Sequence, residues 1–423
     1  MIVFYNIFQL LVLLIAWPAL LVALLAKPKY RQSVPRRLGF GLQKLLKPAR
    51  FKQKTVWIHA LSVGEVASTR PLVTGLRKEF PEVRIIFSVS TRTGLKMATQ
   101  HFTTLVDRVI PSPLDLKPTV DWYIRLIHPD LFVLVETDFW PNLLHALRRE
   151  KIPAILVNGR ISDTSLSSYR RVAFFFKPLF QSFSHLCMQT ESDRKNMEIF
   201  EVSPELVHCL GNLKFDTPMR NPISVNELSK FAPSPSRIFL AGSTHEGEED
   251  IILCVYGILK KRFSDLFLII APRDPERRLE ISRIATARNV SWSYRSEQNR
   301  TRTQDLLILD TLGELPDVYA LADIAFVGGS LVNEGGHNPI EPAAAGIPVL
   351  FGPHMEDFAE ISQDLLQTGG AALVNNQSAL QQTLESLLLS ESQRKKMGQQ
   401  AQACIARQRG VVSRHLEIFR AYL

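Results

Sequence analysis

Residues 324–354 read IAFVGGSLVNEGGHNPIEPAAAGIPVLFGPH, and the fold is decided here. Four apolar residues, 324–327, predict a short buried strand. A loop broken by Gly328, Gly329, Gly335 and Gly336 follows, then a helix started near Pro339, which Gly346 and Pro348 stop before a second strand at 349–351. Strand, loop, helix, strand is a parallel crossover unit. Such units bind phosphates and sugars at the loop after the first strand and at the first helical turn, where backbone N–H groups point outward. Asn338, Pro339, Ile340 and Glu341 form that helix start, with Glu341 placed to accept hydrogen bonds from a ribose diol. Taken alone, the glycines also suit an ordinary turn-rich loop.

The same alternation runs through the chain. Strands are predicted at 55–61, 83–89, 131–135, 154–157, 185–189 and 207–210, with helices at 66–80, 93–102, 142–151 and 191–200 between them. Residues 216–236 then carry four prolines and few large apolar residues, a linker composition. A second series follows: strands at 238–241, 266–271 and 306–309, helices at 248–263, 275–289 and 315–322, then the opening unit, and helical signals beyond 373. Alternation of this kind predicts parallel sheets covered on both faces. At 423 residues the chain is long enough for two such domains. The predicted organisation is an anchor at 1–26, a basic neck at 27–54, a first α/β domain at 55–216, a linker at 217–236 and a second α/β domain at 237–423. The usual place for a ligand is then a cleft between two such domains.

The net charge of +9 is a local property. Ten basic residues and no acid lie at 27–54; without them 40 cations face 41 acids. Ahead of that block, residues 1–26 hold no charge and, as a helix, reach roughly 39 Å, enough to cross a bilayer. Cations after the apolar run are the reverse of a cleaved signal peptide and predict a single inner-membrane span with the body in the cytoplasm. The basic block suits anionic headgroups, a topology signal, or both. Nucleic acid is disfavoured, because no recognition module accompanies the charge. Cys187, Cys209, Cys254 and Cys404 show no CxxC spacing and read as reduced thiols.

Candidate chemistry sits where apolar strands end. Glu65, in Ser62-Val63-Gly64-Glu65, is a candidate general base, or simply a first-turn glutamate favoured by the helix dipole. Glu136 and Asp138 flank Thr137 ahead of Phe139-Trp140-Pro141-Asn142, where Asp138 or Asn142 also suits a helix cap. Lys214, near the end of the first half, can stabilise a leaving phosphate or merely face solvent. In the second half, Ser243 and Thr244 offer N–H and hydroxyl donors, Pro272 and Arg273 repeat the corner one strand later, and Leu312, Gly313 and Glu314 repeat it again. With Gly329 these corners make a consistent rim. No HExxH, CxxC, Asp-x-Asp or GxSxG occurs, so neither a catalytic metal nor a serine hydrolase is expected. Phe174, Phe175, Phe176 and Phe180 form an apolar cluster that suits either the core or acyl chains, more often core.

In their order, an apolar N-terminal helix with a basic neck, HALSVGEV, LVETDFWPN, GNLKFD, AGSTHEGEE, APRDPER, DTLGEL and the opening stretch, the motifs resemble the bacterial 3-deoxy-D-manno-octulosonic acid (Kdo) transferases of lipopolysaccharide synthesis, over nearly the whole chain. The resemblance implies a GT-B fold of two Rossmann-like domains, acceptor-binding first and CMP-sugar-binding second. It implies CMP-Kdo as donor substrate, a lipid A precursor (lipid IVA) as acceptor, inversion at the anomeric carbon, and no metal or other cofactor. By motif, Glu65 corresponds to the base, Glu136 and Lys214 to groups stabilising the transition state, and Pro272, Arg273, Leu312 to Glu314 and Asn338 to Glu341 to residues holding CMP. The rivals are a GT-B transferase using a UDP-sugar, which needs room and charge for a second phosphate, and a non-catalytic membrane-tethered nucleotide-binding protein.

Overall fold

The computed structural model describes residues 2–46, 53–136, 139–161, 163–216, 237–297 and 304–423. The linker expected at 217–236, Thr137 and Asp138, and Lys47, Arg50 and Lys52 of the neck lie outside the described residues. The chain forms two compact units, Met1–Thr217 with Gly410–Leu423, and Pro218–Arg409.

The first unit holds seven strands: β1 Thr55–Ala60, β2 Arg84–Val89, β3 Arg108–Pro111, β4 Leu131–Val135, β5 Ala154–Gly159, β6 His185–Met188 and β7 Val207–Cys209. They pair in parallel in the order β3-β2-β1-β4-β5-β6-β7. Every residue of β1, β2, β4 and β5 is buried, as a parallel sheet covered by helices on both faces requires. Trp57, Tyr123, Phe132, Phe180 and Phe200 fill the core, with Trp57 edge-on to Phe132 at 5.1 Å. Burying each such ring contributes roughly 2–3 kcal/mol. The phenylalanine cluster divides along the helix Ala173–Phe180: Leu179 and Phe180 are core, whereas Phe174 is 77% exposed.

The second unit repeats the plan with β8 Arg237–Thr244, β9 Leu266–Pro272, β10 Trp292–Tyr294, β11 Leu306–Ile308, β12 Ile324–Val327, β13 Val349–Phe351 and β14 Ala371–Leu373, all parallel in the order β10-β11-β9-β8-β12-β13-β14. Two differences from the expected elements have plain causes. β3, β10 and β14 have only three or four residues, too few for a period to show, and β3 and β10 lie at sheet edges. The helix Lys117–Ile127, unexpected from sequence, carries its apolar face in Val120, Tyr123, Ile124 and Ile127.

The second domain expected at 237–423 is corrected at its end. Gly410, at φ +84, turns the chain after the helix Glu391–Gln408, and the last helix, Val411–Phe419, belongs to the first unit. The Asp216 carboxylate caps it, accepting the N–H groups of Gly410 and Val412 at 2.8 and 2.6 Å. Val412 then lies against Gly75, where an added Cβ would meet it at 2.6 Å. His415 is fully buried in this helix and donates from Nδ1 to the Val411 carbonyl at 2.8 Å.

The first helix, Ile2–Ala26, is apolar and long enough for a bilayer. Its amino end is bonded to the body: Tyr5 Oη donates to Asp115 Oδ2 and Gln9 Nε2 to the Asp115 carbonyl, both at 3.0 Å, and Tyr5 lies 6.1 Å from the Phe175 ring. Asp115 also accepts the N–H groups of Asn142 and Leu143 at 3.0 Å, at the start of the helix Pro141–Arg149.

Two expectations follow. Burial pushes the His415 pKa down to about 4, against about 6.5 in an unfolded chain. The native state therefore binds fewer protons than the unfolded state between these values, and stability is lost as pH falls from about 6.5 towards 4, by roughly 3 kcal/mol at full protonation. Denaturant unfolding at pH 7 and pH 5 should show His415→Leu losing less stability on acidification than the parent chain; equal losses would remove His415 from the account. Second, Glu248 is fully buried and accepts four backbone N–H groups, from His245 at 2.9, Gly329 at 2.8, and Ser330 and Leu331 at 3.0 Å. Glu248→Gln turns one acceptor into a donor against these groups and should cost about 3 kcal/mol. Calorimetry of the variant should show a lower unfolding midpoint, and an unchanged one would contradict the assignment.

Candidate functional site

Each unit gathers its candidate residues at the carboxyl ends of its strands, where successive backbone groups run out of strand partners and side chains must supply them. In the first unit Glu65 follows β1, in the first turn of the helix Val63–Glu79. Ser62 is the cap: its Oγ accepts Glu65 N–H at 3.4 Å, and Glu65 reaches back with Oε2 to Leu61 N–H at 2.6 Å and with Oε1 to Ser62 Oγ at 3.3 Å. This is a capping box displaced by one residue. The capping reading and the base reading therefore share one carboxylate, which is 7% exposed and fixed in direction.

Glu136 follows β4 at φ +58, a conformation few non-glycine residues adopt, and its N–H bonds the Val157 carbonyl of β5 at 2.9 Å. Desolvation raises the Glu136 carboxyl above its ordinary pKa, while Lys214, a hydrogen bond from Asn158 and the charge of Arg160 oppose that rise. The structure thus brings Glu136 and Lys214 together, though they are far apart in the chain. This electrostatic coupling follows from sheet order, because β4, β5, β6 and β7 are neighbours and Lys214 lies in the turn Leu213–Asp216 just after β7.

Beside this edge, Arg36, Arg37, Arg92 and Lys96, with Ser33, Ser90, Thr91, Gln100 and others, line a cavity of about 300 Å³. Arg36 and Arg37 come from the basic neck; Arg92 and Lys96 come from the helix Arg92–His101, which follows β2. No acid lines the cavity, so its field is positive. Arg37 is tied down by donating to the carbonyls of Ser112 and Pro113. Sequence reading treats the neck as one block and overlooks Arg92 and Lys96, which carry no motif.

In the second unit the corners after β8, β9 and β12 converge. Gly328 N–H bonds the Gly242 carbonyl at 2.8 Å and Arg273 N–H the Thr244 carbonyl at 3.0 Å. A Cβ on Gly328 would sit 2.3 Å from the Ser243 carbonyl oxygen, so only glycine permits this approach. Ser243 turns at φ +56 and Gly329 at φ +68. His245 and His337 stack with their Nε2 atoms 2.7 Å apart, one ring donating and the other accepting. Burial, then the charge of Arg273, then His245 push the His337 pKa down to about 4, which leaves that ring neutral at pH 7.

Several groups expected to face a ligand already have hydrogen-bond partners within the unit. The N–H groups of 329–331 are taken by Glu248, a residue that reads in sequence as one of several first-turn acids. The Thr244 hydroxyl, fully buried, donates to Glu249 at 3.3 Å. Glu314 accepts from Arg295 at 2.7 Å and from Thr311. Pro272 is buried at the end of β9, and Ile340 and Pro339 are buried as well. Arg273 is exposed, Leu312 is 82% exposed, Gly313 turns at φ +86, and Ser243, Asn338 and Glu341 are half-buried. Asn338 Oδ1 accepts Ile340 N–H at 3.1 Å and its Nδ2 donates to Glu341 at 3.3 Å, fixing the start of a helix that is only Ile340–Ala344. Among the described residues no group of three or more His, Cys, Asp or Glu has metal-binding geometry.

Two families match this chain. Residues 32–217 fit 3-Deoxy-D-manno-octulosonic-acid transferase (kdotransferase), and residues 243–403 fit Glycosyl transferases group 1. A 3-deoxy-D-manno-octulosonic acid transferase of Haemophilus influenzae is 32% identical over 427 residues, which cover 99% of each chain. One from Rickettsia bellii is 31% identical over 79% of each. In fold, a glycosyltransferase from Rickettsia africae is similar at a TM-score of 0.61 and 13% identity, over 88% of this chain and 99% of that one; the shared architecture is GT-B. Likeness along the full length, carried on paired Rossmann-like sheets with the motif residues at their carboxyl edges, establishes that the chain belongs to the Kdo transferases, the glycosyltransferases that transfer Kdo in lipopolysaccharide synthesis.

Proposed function

We propose that this chain moves Kdo from CMP-Kdo to a lipid A precursor, lipid IVA, with inversion and without a metal or other cofactor. The observation that carries the reading is that Asn158 bonds both the half-buried Glu136 and the turn of Lys214, whose charge acts on Glu136, two residues that the family motif marks and that sequence distance would keep apart. In this mechanism an acceptor hydroxyl oxygen attacks the anomeric carbon of Kdo from the face opposite the phosphate. The new glycosidic bond forms as the bond to the CMP oxygen breaks. CMP departs with the electron pair, and the hydroxyl proton passes to Glu65. The Leu61 and Ser62 bonds hold that carboxylate in a fixed direction at the end of β1.

A monophosphate leaving group carries less charge than a pyrophosphate, so side-chain cations and oriented N–H groups suffice to take it up without a divalent ion. On the donor side, Ser243, Arg273, Leu312, Gly313, Asn338 and Glu341 offer side chains or backbone to CMP; Thr244, Pro272, Glu314, Gly329, Pro339 and Ile340 act through backbone shape. The basic cavity beside β2 supports an anionic acceptor such as a phosphorylated lipid, near a neck that would lie on an anionic membrane surface.

The apolar first helix supports membrane association, with the body on the cytoplasmic side of the inner membrane. Tyr5 bonded to Asp115 cannot sit across the bilayer from it, although a 25-residue helix is about 37 Å long. We therefore read this helix as entering the membrane with its amino end held against the body, in place of the straight single pass expected from sequence.

Three measurements test these readings. With CMP-Kdo, lipid IVA and a chelator, Glu65→Gln, which keeps an acceptor for Leu61 N–H, should lose about 1,000-fold or more in kcat while CMP Kd stays within about twofold. Retained turnover would remove Glu65 as the base. Reversing charge at Arg92 and Lys96 together should raise the KM for the acceptor about tenfold and leave CMP binding alone; an unchanged KM would detach the cavity from the acceptor. A cysteine placed at Val3 should resist a membrane-impermeant maleimide added from the periplasmic side, and rapid labelling there would restore the single pass.

A further inference from the structure

Asn158, one residue before the end of β5, is fully buried, and both ends of its amide are in use. Nδ2 donates to Glu136 Oε1 at 3.3 Å, while Oδ1 accepts Leu213 N–H at 3.0 Å, next to Lys214. Its main-chain carbonyl accepts from Gln189 Nε2 at 2.9 Å; Gln189 Oε1 accepts from Asn212 Nδ2 at 2.9 Å, and Asn212 Oδ1 accepts Lys214 N–H at 3.0 Å. These bonds run sideways across the carboxyl ends of β4, β5, β6 and β7. We propose that Asn158 is a positioning residue of the transfer, a side chain that bonds both Glu136 and the Lys214 turn and holds them at a fixed separation. The inference rests on the reading that Glu136 and Lys214 stabilise the transition state.

The chemistry of the position is demanding. It needs a donor towards a carboxylate and an acceptor towards a backbone N–H on opposite sides of one short side chain, which asparagine alone supplies at this length. Aspartate keeps the acceptor but sets a second carboxylate against Glu136. The backbone is also at φ +56, where asparagine is among the few non-glycine residues commonly found. From the other side, Asp216 and Arg414 tie the same turn to the last helix, Arg414 Nη2 donating to the Leu210 carbonyl at 2.8 Å. The turn is therefore anchored from both sides, and the Asn158 anchor is the one that bonds Glu136 among the hydrogen bonds of the described residues.

The test removes the side chain while sparing the backbone. Asn158→Gly accepts the left-handed conformation without strain, so the fold should persist by circular dichroism and unfolding midpoint. With CMP-Kdo and lipid IVA its kcat should fall about 100-fold, as a small misplacement of two charged groups would cause, with CMP Kd unchanged. The acid limb of kcat/KM should move up by about one pH unit, because a hydrogen bond that favours the charged form of Glu136 is gone. Asn158→Asp should shift that limb further and lose as much kcat, and it serves as the readout should the glycine variant not fold. A folded variant with the parent's kcat and pH profile overturns the inference. A fall in kcat with an unmoved acid limb overturns the hold on Glu136. Glu136→Gln with full activity would instead overturn the underlying reading, and this inference with it.

Discussion

In each unit one buried polar side chain, Asn158 or Glu248, satisfies backbone and side-chain groups left over where parallel strands end. A strand in such a sheet passes its N–H and C=O groups to its neighbours until it stops, and the loop that follows must find other partners or lose roughly 1–3 kcal/mol for each buried group left bare. Glu248 answers this for the glycine loop after β12 by taking three consecutive N–H groups. Asn158 answers it for the Lys214 turn and meets Glu136 in the same act. The constraint that stabilises these edges also fixes the geometry of the groups to which the transfer chemistry is assigned.

Electrostatics follows from the same burial. Glu136 is held in a desolvated place that favours its neutral form, and nearby Lys214 and Asn158 pull it back towards the carboxylate. His337 is desolvated beside Arg273 and stays neutral, so the second unit presents a guanidinium near an uncharged imidazole that is hydrogen-bonded to His245. The neck and the helix after β2 place their cations around one cavity, so the basic block reads as part of a surface with shape as well as charge.

Much of this was legible in the residues. Apolar runs announce β1, β4, β9 and β12, and Glu136 and Gly328 directly after two of them announce where β4 and β12 end. What the residues do not carry is the order of strands. Glu136 and the turn of Lys214 are joined through Asn158 because β4, β5, β6 and β7 are successive neighbours in the sheet, and no local pattern encodes that. Inward hydrogen bonds are equally silent: Thr244, Glu314 and the glycine loop read as open donors and acceptors, yet Glu249, Arg295 and Glu248 take them. The last helix returns to the first unit through Asp216, a contact between residues nearly two hundred positions apart.

The account stands or falls on what the chain attaches to what. Mass spectrometry of lipid IVA incubated with the full chain and CMP-Kdo, in the presence of a chelator, reads this directly. The account predicts lipid products heavier by whole Kdo units, with CMP released in equal number. Unaltered lipid under these conditions, with transfer obtained from a UDP-sugar in its place, would contradict it.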